Sequence, residues 1–276
     1  MRVIKVDAEK CSRDGICIDT CPLSLLSLDP EGRPEMLPEA ADLCIGCGHC
    51  VAVCPKGALD NLNNPVSRHL AIPKEYSAED PARSALFLRS RRSVRRYKDE
   101  PVPREKMLKL LDIARFAPSG HNSQGISYLV VEGRENLTQV REIIVEWMRK
   151  VVRIAPELAS QFNMPAIIDA HEQGKDRILR NAPHLIVAHA QADQTRAQVS
   201  TVLCLEYVEL YAPALGIGTC WAGYAQRCAG EYPAFSRFLK IPVGRMITGI
   251  LMAGFPKYKY HRLPERNPLD VEWFKA

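Results

Sequence analysis

Nothing in the 276 residues reads as a membrane span. No apolar run approaches the roughly 20 residues that a bilayer core demands. The longest candidates, 185–188 and 247–252, read as core strands. The opening Met1–Asp7 alternates polar and apolar residues and has no signal-peptide apolar core. The expectation is therefore a cytoplasmic, reducing setting, where cysteines serve metals or chemistry more often than disulfides. A dinucleotide fingerprint is missing too. Gly216-Ile217-Gly218 comes nearest, but Trp221 holds the place of the third glycine, and a helix precedes it where a strand should. No side-chain nucleophile or acid–base pair stands out, which fits chemistry done by a bound cofactor. Cysteine is scarce over most of the chain: of ten, only Cys204, Cys220 and Cys228 lie beyond the first fifth. Cys204 falls on an apolar helix and reads as core. Cys220 and Cys228 lack a histidine or second cysteine that would activate them.

The other seven cysteines are dense and patterned. Cys44, Cys47, Cys50, Cys54 and Pro55 form the run C-x2-C-x2-C-x3-C-P, a spacing that holds iron–sulfur clusters. Three thiolates at short spacing wrap one face of a cluster, and the fourth points away to a second one. Gly46 and Gly48 permit the tight turns, and Pro55 fixes the exit. An imperfect copy precedes it: Cys11, Cys17, Cys21 and Pro22 align with Cys44, Cys50, Cys54 and Pro55 at a constant offset of 33 residues. Internal duplication is the simplest source. Only the second ligand differs, with Asp14 where the other run has Cys47. By the crossing rule, cluster I uses Cys11, Cys17 and Cys54, with Asp14 as a further candidate, and cluster II uses Cys44, Cys47, Cys50 and Cys21. Asp14 is either a ligand, and a weak one for a sulfur-rich site, or a surface turn residue beside Gly15. Glu31-Gly32-Arg33-Pro34 signals a turn, so 29–41 is a loop or hairpin joining the two copies.

Residues 1–60 resemble the dicluster bacterial ferredoxins. The resemblance implies two small βαβ-like halves related by a pseudo-twofold axis, and a role in electron transfer. Members with Asp at the position of Asp14 hold either a [4Fe–4S] or a [3Fe–4S] cluster, so both remain open for cluster I.

The net charge of +5 hides an asymmetry: residues 1–60 hold 6 Lys and Arg against 10 Asp and Glu, the remainder 31 against 22. An acidic module is joined to a basic body. Nucleic acid would explain a basic excess, but phosphate-bearing cofactors explain it with less machinery. Residues 61–88 read as a linker, breaker-rich at 61–65 and 78–81, with a helix starting near Ser84. Arg89–Lys98 is the densest basic stretch, whose guanidinium forks and hydroxyl suit a phosphate. Pro103–Phe116 follows, apolar at 107, 110, 111 and 114, as an amphipathic helix with Pro in its first turn. It ends in a polar loop, Ala117–Gln124, before a buried strand at 126–132. Residues 140–170 form an amphipathic helical insertion, broken near Pro156 and Pro165. Asp176–Arg180 offers arginines either to an anionic substrate or to an ordinary surface pair.

Arg91-Arg92-Ser93-Val94-Arg95-Arg96-Tyr97, a helix, then Ala117–Gln124, resemble the opening of the nitroreductase-type flavin enzymes. Downstream, Asn181–Ala188 is similar to that family's central strand, Ala197–Ala214 to its long core helix, and Leu215–Gly223 to its flavin loop. Gly249–Pro256 and Arg262-Leu263-Pro264 are similar to its last strand and tail. The resemblance covers most of 89–276. It implies an α+β sandwich that works as a homodimer with one FMN at each interface site. On this basis Arg91, Arg92, Ser93 and Arg95 match the phosphate and ribityl segment, and Arg262 a tail residue reaching the phosphate. Pro118, Ser119 and Asn122 match a loop reaching the flavin of the partner subunit. Trp221 and Gly223 match the loop facing the flavin's reactive edge, where a backbone N–H steadies the reduced ring. The chain departs from the pattern at Gly125-Ile126 and in lacking an acidic residue beside Trp221.

The fold class expected is thus α+β, a ferredoxin-like module (1–60) and a linker (61–88) followed by a nitroreductase-like FMN domain (89–276). The function expected is an oxidoreductase passing single electrons through two iron–sulfur clusters to FMN, driven by ferredoxin or NAD(P)H. Its acceptor would be an electrophilic organic molecule: a nitroaromatic, a quinone or an activated alkene. The alternative is a non-catalytic carrier or redox sensor that exchanges electrons with a protein partner. Neither reading involves nucleic acid or a membrane, because the flavin reading already uses Arg89–Lys98.

Overall fold

The 33-residue offset between the cysteine runs is also written in the backbone. In a computed structural model that describes residues 3–73 and 80–275, helix α1 (Ile16–Asp19) repeats as α2 (His49–Ala52). Each follows a glycine with φ +74°, Gly15 and Gly48. Arg13 (φ +59°) takes the left-handed conformation of Gly46 (φ +60°), and Ser24 (φ +52°) that of Gly57 (φ +57°). A side chain in that region is strained, so the duplicated geometry persists where the glycines do not. Met1 and Arg2 of the opening alternation, residues 74–79 of the expected linker and Ala276 lie outside the described residues.

Contact density divides the chain into two units, Met1–Ala78 with Gly120–Ser123, and Glu79–Ser119 with Gln124–Ala276. In the first, β1 (Ile4–Val6), α1 and β2 (Leu26–Leu28) make one half, and β3 (Pro34–Met36), α2 and β4 (Leu59–Asn61) the other. The halves exchange strands: β1 pairs antiparallel with β4, and β2 with β3. The connection between β2 and β3 is the expected hairpin, closed by Asp29 N–H donating to Arg33 O and by Gly32 at φ +78°. A small core of Ile4, Leu26, Val51 and Leu59 lies beneath the cysteines.

The second unit begins with α3 (Pro81–Ser90), capped by Asp80, whose carboxylate accepts from Arg83 N–H at 2.9 Å. Helix α4 (Arg104–Asp112) and a 3-10 turn over Ile113–Phe116 fill the predicted amphipathic span, with Pro103 at the N-cap rather than inside the first turn. The sheet then runs β5 (Ser127–Glu132), β6 (His184–Gln191), β7 (Gly218–Trp221) and β8 (Arg245–Gly254), in spatial order β5-β6-β8-β7, all antiparallel. β5 is an edge strand and mostly half-buried, which corrects the expectation of a buried one. β6 and β8 are buried on both faces, as their unbroken apolar runs require.

Side chains alternate across this sheet. Leu185, Val187, Ile250 and Met252 pack on one face against α5 (Arg134–Ile154), α7 (Met164–Glu172), α9 (Gly223–Glu231) and α10 (Pro233–Phe238). Ile186, Ala188, Leu251 and Ala253 pack on the other against α4 and α8 (Ala197–Tyr211). The predicted insertion is α5, α6 (Pro156–Gln161) and α7, parted before Pro156 and at Asn163, just ahead of Met164-Pro165. α5 buries Trp147, Ile144 and Met148 along one stripe, each worth about 1.5–3 kcal/mol of transfer free energy.

Candidate functional site

The cysteines of the first unit separate into two cavities, and each cavity draws on both runs. Cys21, Cys44, Cys47 and Cys50 line one, of about 380 Å³. Cys11, Cys17 and Cys54 line the other, of about 340 Å³, together with Asp14. Cys21 thus crosses to the second run's cavity and Cys54 to the first's. The outward-pointing cysteines receive matching backbone donors: Leu25 N–H to Cys21 Sγ at 3.4 Å and Ala58 N–H to Cys54 Sγ at 3.2 Å, again 33 residues apart. Asn61 Nδ2 donates to Cys44 Sγ at 3.6 Å.

Burial pushes the Cys17 thiol up to about 11, and nearby Cys50, Cys54 and Asp14 push the same way. Cys50 is also raised by burial. Thiols so placed ionise readily only beside a cationic centre. Among the described residues no three Cys, His, Asp or Glu side chains converge on a single ion. The sulfurs instead surround a volume, which fits a polynuclear cluster. Asp14 is otherwise engaged. One carboxylate oxygen accepts from Ser12 Oγ (2.7 Å) and the other from Ile16 N–H (3.1 Å), which caps α1. The Ser12 bond leads the effects that hold its pKa below the usual carboxylate value. Gly48 is needed for more than its φ: a Cβ there would sit 2.5 Å from Asn64 Nδ2, the group that donates to Gly46 O at 3.1 Å.

In the second unit Arg95, Trp221 and Gly223 line one cavity of about 950 Å³ with Phe162, Asn163, Tyr224 and Arg227. Trp221 lies on a strand, β7, where a loop was expected; it pairs with Leu251 of β8. Its ring edge faces Gly249, where a Cβ would lie 3.4 Å away. Glu209 of α8 places a buried carboxylate beside the same strand, at Thr219. Glu209 is 2% exposed, and burial raises its pKa. It also receives Thr219 Oγ1 at 3.3 Å and faces Arg91 Nη1 at 3.6 Å. Gly223 opens α9, whose first turn leaves N–H groups without intrahelical partners. A Cβ on Gly223 would meet nothing within 4 Å, so this backbone faces open space.

The other candidates are dispersed. Arg91 is held between Glu206 and Glu209. Arg92 lines a separate cavity of about 600 Å³ with Glu209, Thr219 and Tyr260, and its Nε and Nη2 are buried without a partner. Ser93 makes a parallel backbone bridge to Thr219 of β7. Pro118 is exposed, and Ser119 Oγ accepts from Gln124 N–H at 3.0 Å. Asn122 groups with the first unit, where its Nδ2 donates to Ile45 O at 2.9 Å. Arg262 is exposed on the tail. The cysteines read as inert stay so: Cys204, Cys220 and Cys228 are buried, and burial pushes Cys228 up to about 12. Glu209 and the stack of Arg227 on Phe162 (4.2 Å) carried no signal in sequence.

A three-layer α+β unit with this cavity, joined to a module that splits its cysteines in crossed fashion, defines an iron–sulfur oxidoreductase class. The chain belongs to the nitroreductase family, whose model matches residues 88–255. A 4Fe-4S dicluster domain model matches residues 10–58. An iodotyrosine deiodinase from Thermotoga neapolitana is 23% identical over 185 residues, covering 67% of this chain and 94% of that protein. A putative NADH dehydrogenase/NAD(P)H nitroreductase from Archaeoglobus fulgidus is 27% identical over 173 residues, covering 61% and 82%. A solved nitroreductase with bound FMN from Desulfitobacterium hafniense DCB-2 shares the fold, with TM-score 0.54 and 23% identity over 68% of this chain and 98% of that one. Among the described residues no helix is long and apolar enough to cross a membrane.

Proposed function

We propose that the chain is a homodimeric flavin enzyme of the reducing cytoplasm that takes electrons singly through two iron–sulfur clusters and delivers them in pairs to an electrophilic organic acceptor. The observation that carries this reading is the crossed partition of the cysteines between two cavities in a chain of the nitroreductase family. Cys21, Cys44, Cys47 and Cys50 would hold one [4Fe–4S] cluster. Cys11, Cys17 and Cys54 would hold the other; with Asp14 committed to Ser12 and Ile16, the cavity presents three thiolates to it.

The residues around the cavity of Arg95 and Trp221 fit FMN. Arg95 lines it and, among the described residues, makes only a 3.4 Å side-chain contact to Ser93 O, so its charge is available to a phosphate. FMN bound there would supply the exchange between one-electron and two-electron chemistry. The chain's own work is to position. Gly249 leaves room for the edge of the Trp221 ring, and the N–H groups opening α9 offer a positive dipole end to negative charge near Gly223. Tyr224 Oη donates to Phe162 O at 2.9 Å, which ties α9 to the α6–α7 corner at the cavity. Ser93, Pro118, Ser119, Asn122 and Arg262 complete the set once a partner subunit contributes its loop and tail.

The test is anaerobic purification with iron and flavin analysis, then reduction followed by flavin absorbance. Bleaching by NADH or NADPH makes nicotinamide the donor. Bleaching only by reduced ferredoxin makes the clusters the entry port. Both outcomes require FMN and about seven or eight irons per chain, and a protein that takes up neither overturns the reading.

A further inference from the structure

The cavity of Arg95 and Trp221 is lined on its rim by two more arginines, Arg177 and Arg180. Among the described residues, no Asp or Glu lines it. Arg227 has its own counterion, Glu231, at 2.8 Å. Arg177 and Arg180 have none: among the described residues neither makes an ion pair or a side-chain hydrogen bond. Unpaired guanidinium groups gathered on one wall of a concave site focus a positive potential into it.

The loop that carries them is built to hold them there. Asp176, 4% exposed, receives Ile178 N–H (2.9 Å) and Leu179 N–H (2.8 Å) on one carboxylate oxygen. Its other oxygen receives Asn181 N–H (2.9 Å) and Arg141 Nη1 (3.1 Å). Three of these four bonds shape the 176–181 turn and the fourth pairs the carboxylate with Arg141, not with Arg177 or Arg180. Arg180 and Asn181 are both left-handed, at φ +60° and +56°. Two adjacent non-glycine residues in that region are costly and persist only where the surroundings impose them. The charge of Arg180 also reaches the cavity floor: with Arg95 it pulls the Cys220 thiol down against the upward push of burial. The same cavity is lined by Phe162, Trp221 and Tyr224, side chains suited to contact with a flat ring.

We propose that Arg177 and Arg180 are specificity residues that select an anionic acceptor, a planar molecule bearing a carboxylate. This rests on the flavin-enzyme reading of the cavity, since the ring must share it with FMN. A guanidinium fork matches a carboxylate in plane and charge, whereas a neutral analogue leaves the fork unmatched.

The test uses the oxidised, FMN-loaded dimer and two probes of nearly equal shape, 4-nitrobenzoate and 4-nitrobenzamide. Binding is read from perturbation of the flavin absorbance, with no turnover required. At low ionic strength the benzoate should bind at least about tenfold more tightly, and the advantage should shrink as salt rises. In the Arg177→Gln/Arg180→Gln double variant the preference should fall to within about threefold, with flavin content per chain unchanged. Equal affinities, or no binding of either probe to the wild type, overturn the proposal and leave the flavin reading standing. Loss of FMN from the double variant overturns it also, because the arginines would then serve the cofactor. A wild-type protein that accepts no FMN overturns both. If the double variant does not fold, the wild-type comparison still decides.

Discussion

Replacing Cys21 by Ala takes a sulfur from the cavity of Cys44, Cys47 and Cys50, although Cys21 stands in the other cysteine run. The expected result of Cys21→Ala is loss of about half the iron, all of it from the four-cysteine site. Low-temperature EPR, on the oxidised protein for a [3Fe–4S] centre and on the reduced protein for a [4Fe–4S] centre, should keep the signal of the three-cysteine site and lose the other. A variant that instead disturbs the Cys11–Cys17 site would mean that the runs do not cross. Asp14 and Arg13 make a related point about single residues. Asp14 sits where a ligand belongs by alignment, yet its carboxylate caps α1. Arg13 keeps the left-handed backbone of its glycine counterpart. Side-chain identity drifted while backbone geometry stayed, because the geometry shapes the cavity and the side chain need not.

At the scale of elements, the contact between β8 and α8 is closest at Gly249. A Cβ there would lie 2.5 Å from Leu205 Cδ1 and 2.8 Å from Thr201 Cγ2, in fully buried surroundings. Gly249→Ala should therefore cost about 1–3 kcal/mol by overpacking. Calorimetry should show a lower melting temperature, by about 2–4 °C for each kcal/mol. Because Trp221 is the next neighbour, flavin content should fall as well; unchanged stability would show that α8 can slide to make room. This contact was not legible in the sequence, whereas the helices and core strands around it were. Periodicity marks a buried stripe such as that of α5, and prolines mark its breaks, because both act locally. Glu209 is one of two glutamates on a mostly apolar helix. Its meaning comes from Arg91 and Thr219, which arrive from elsewhere in the chain. Likewise Arg91 read as a phosphate ligand, and only the fold shows it between two glutamates. The cysteine partition could be read beforehand because cluster geometry constrains sequence spacing tightly. A flavin cavity assembled from distant strands and helices imposes no such spacing.

At the scale of the whole molecule, α8 leaves Val199, Val202, Leu203 and Tyr207 between 37% and 65% exposed. An apolar face of this kind on a central helix is what a second copy would cover. Val202→Glu should turn a dimer into a monomer in light scattering and release flavin, with the iron content unchanged. A monomeric wild type, or a variant that remains a flavin-loaded dimer, would place the interface elsewhere.

The exchange of cysteines between halves has a consequence for how the protein fails. Once clusters are held, each half of the first unit is buckled to the other twice, through Cys21 and through Cys54. Oxidative loss of one cluster frees a strap that the other half was using. Damage at one centre therefore leaves the two halves joined by a single strap, so the half-loaded module persists in a looser form whose backbone amides should exchange with solvent faster.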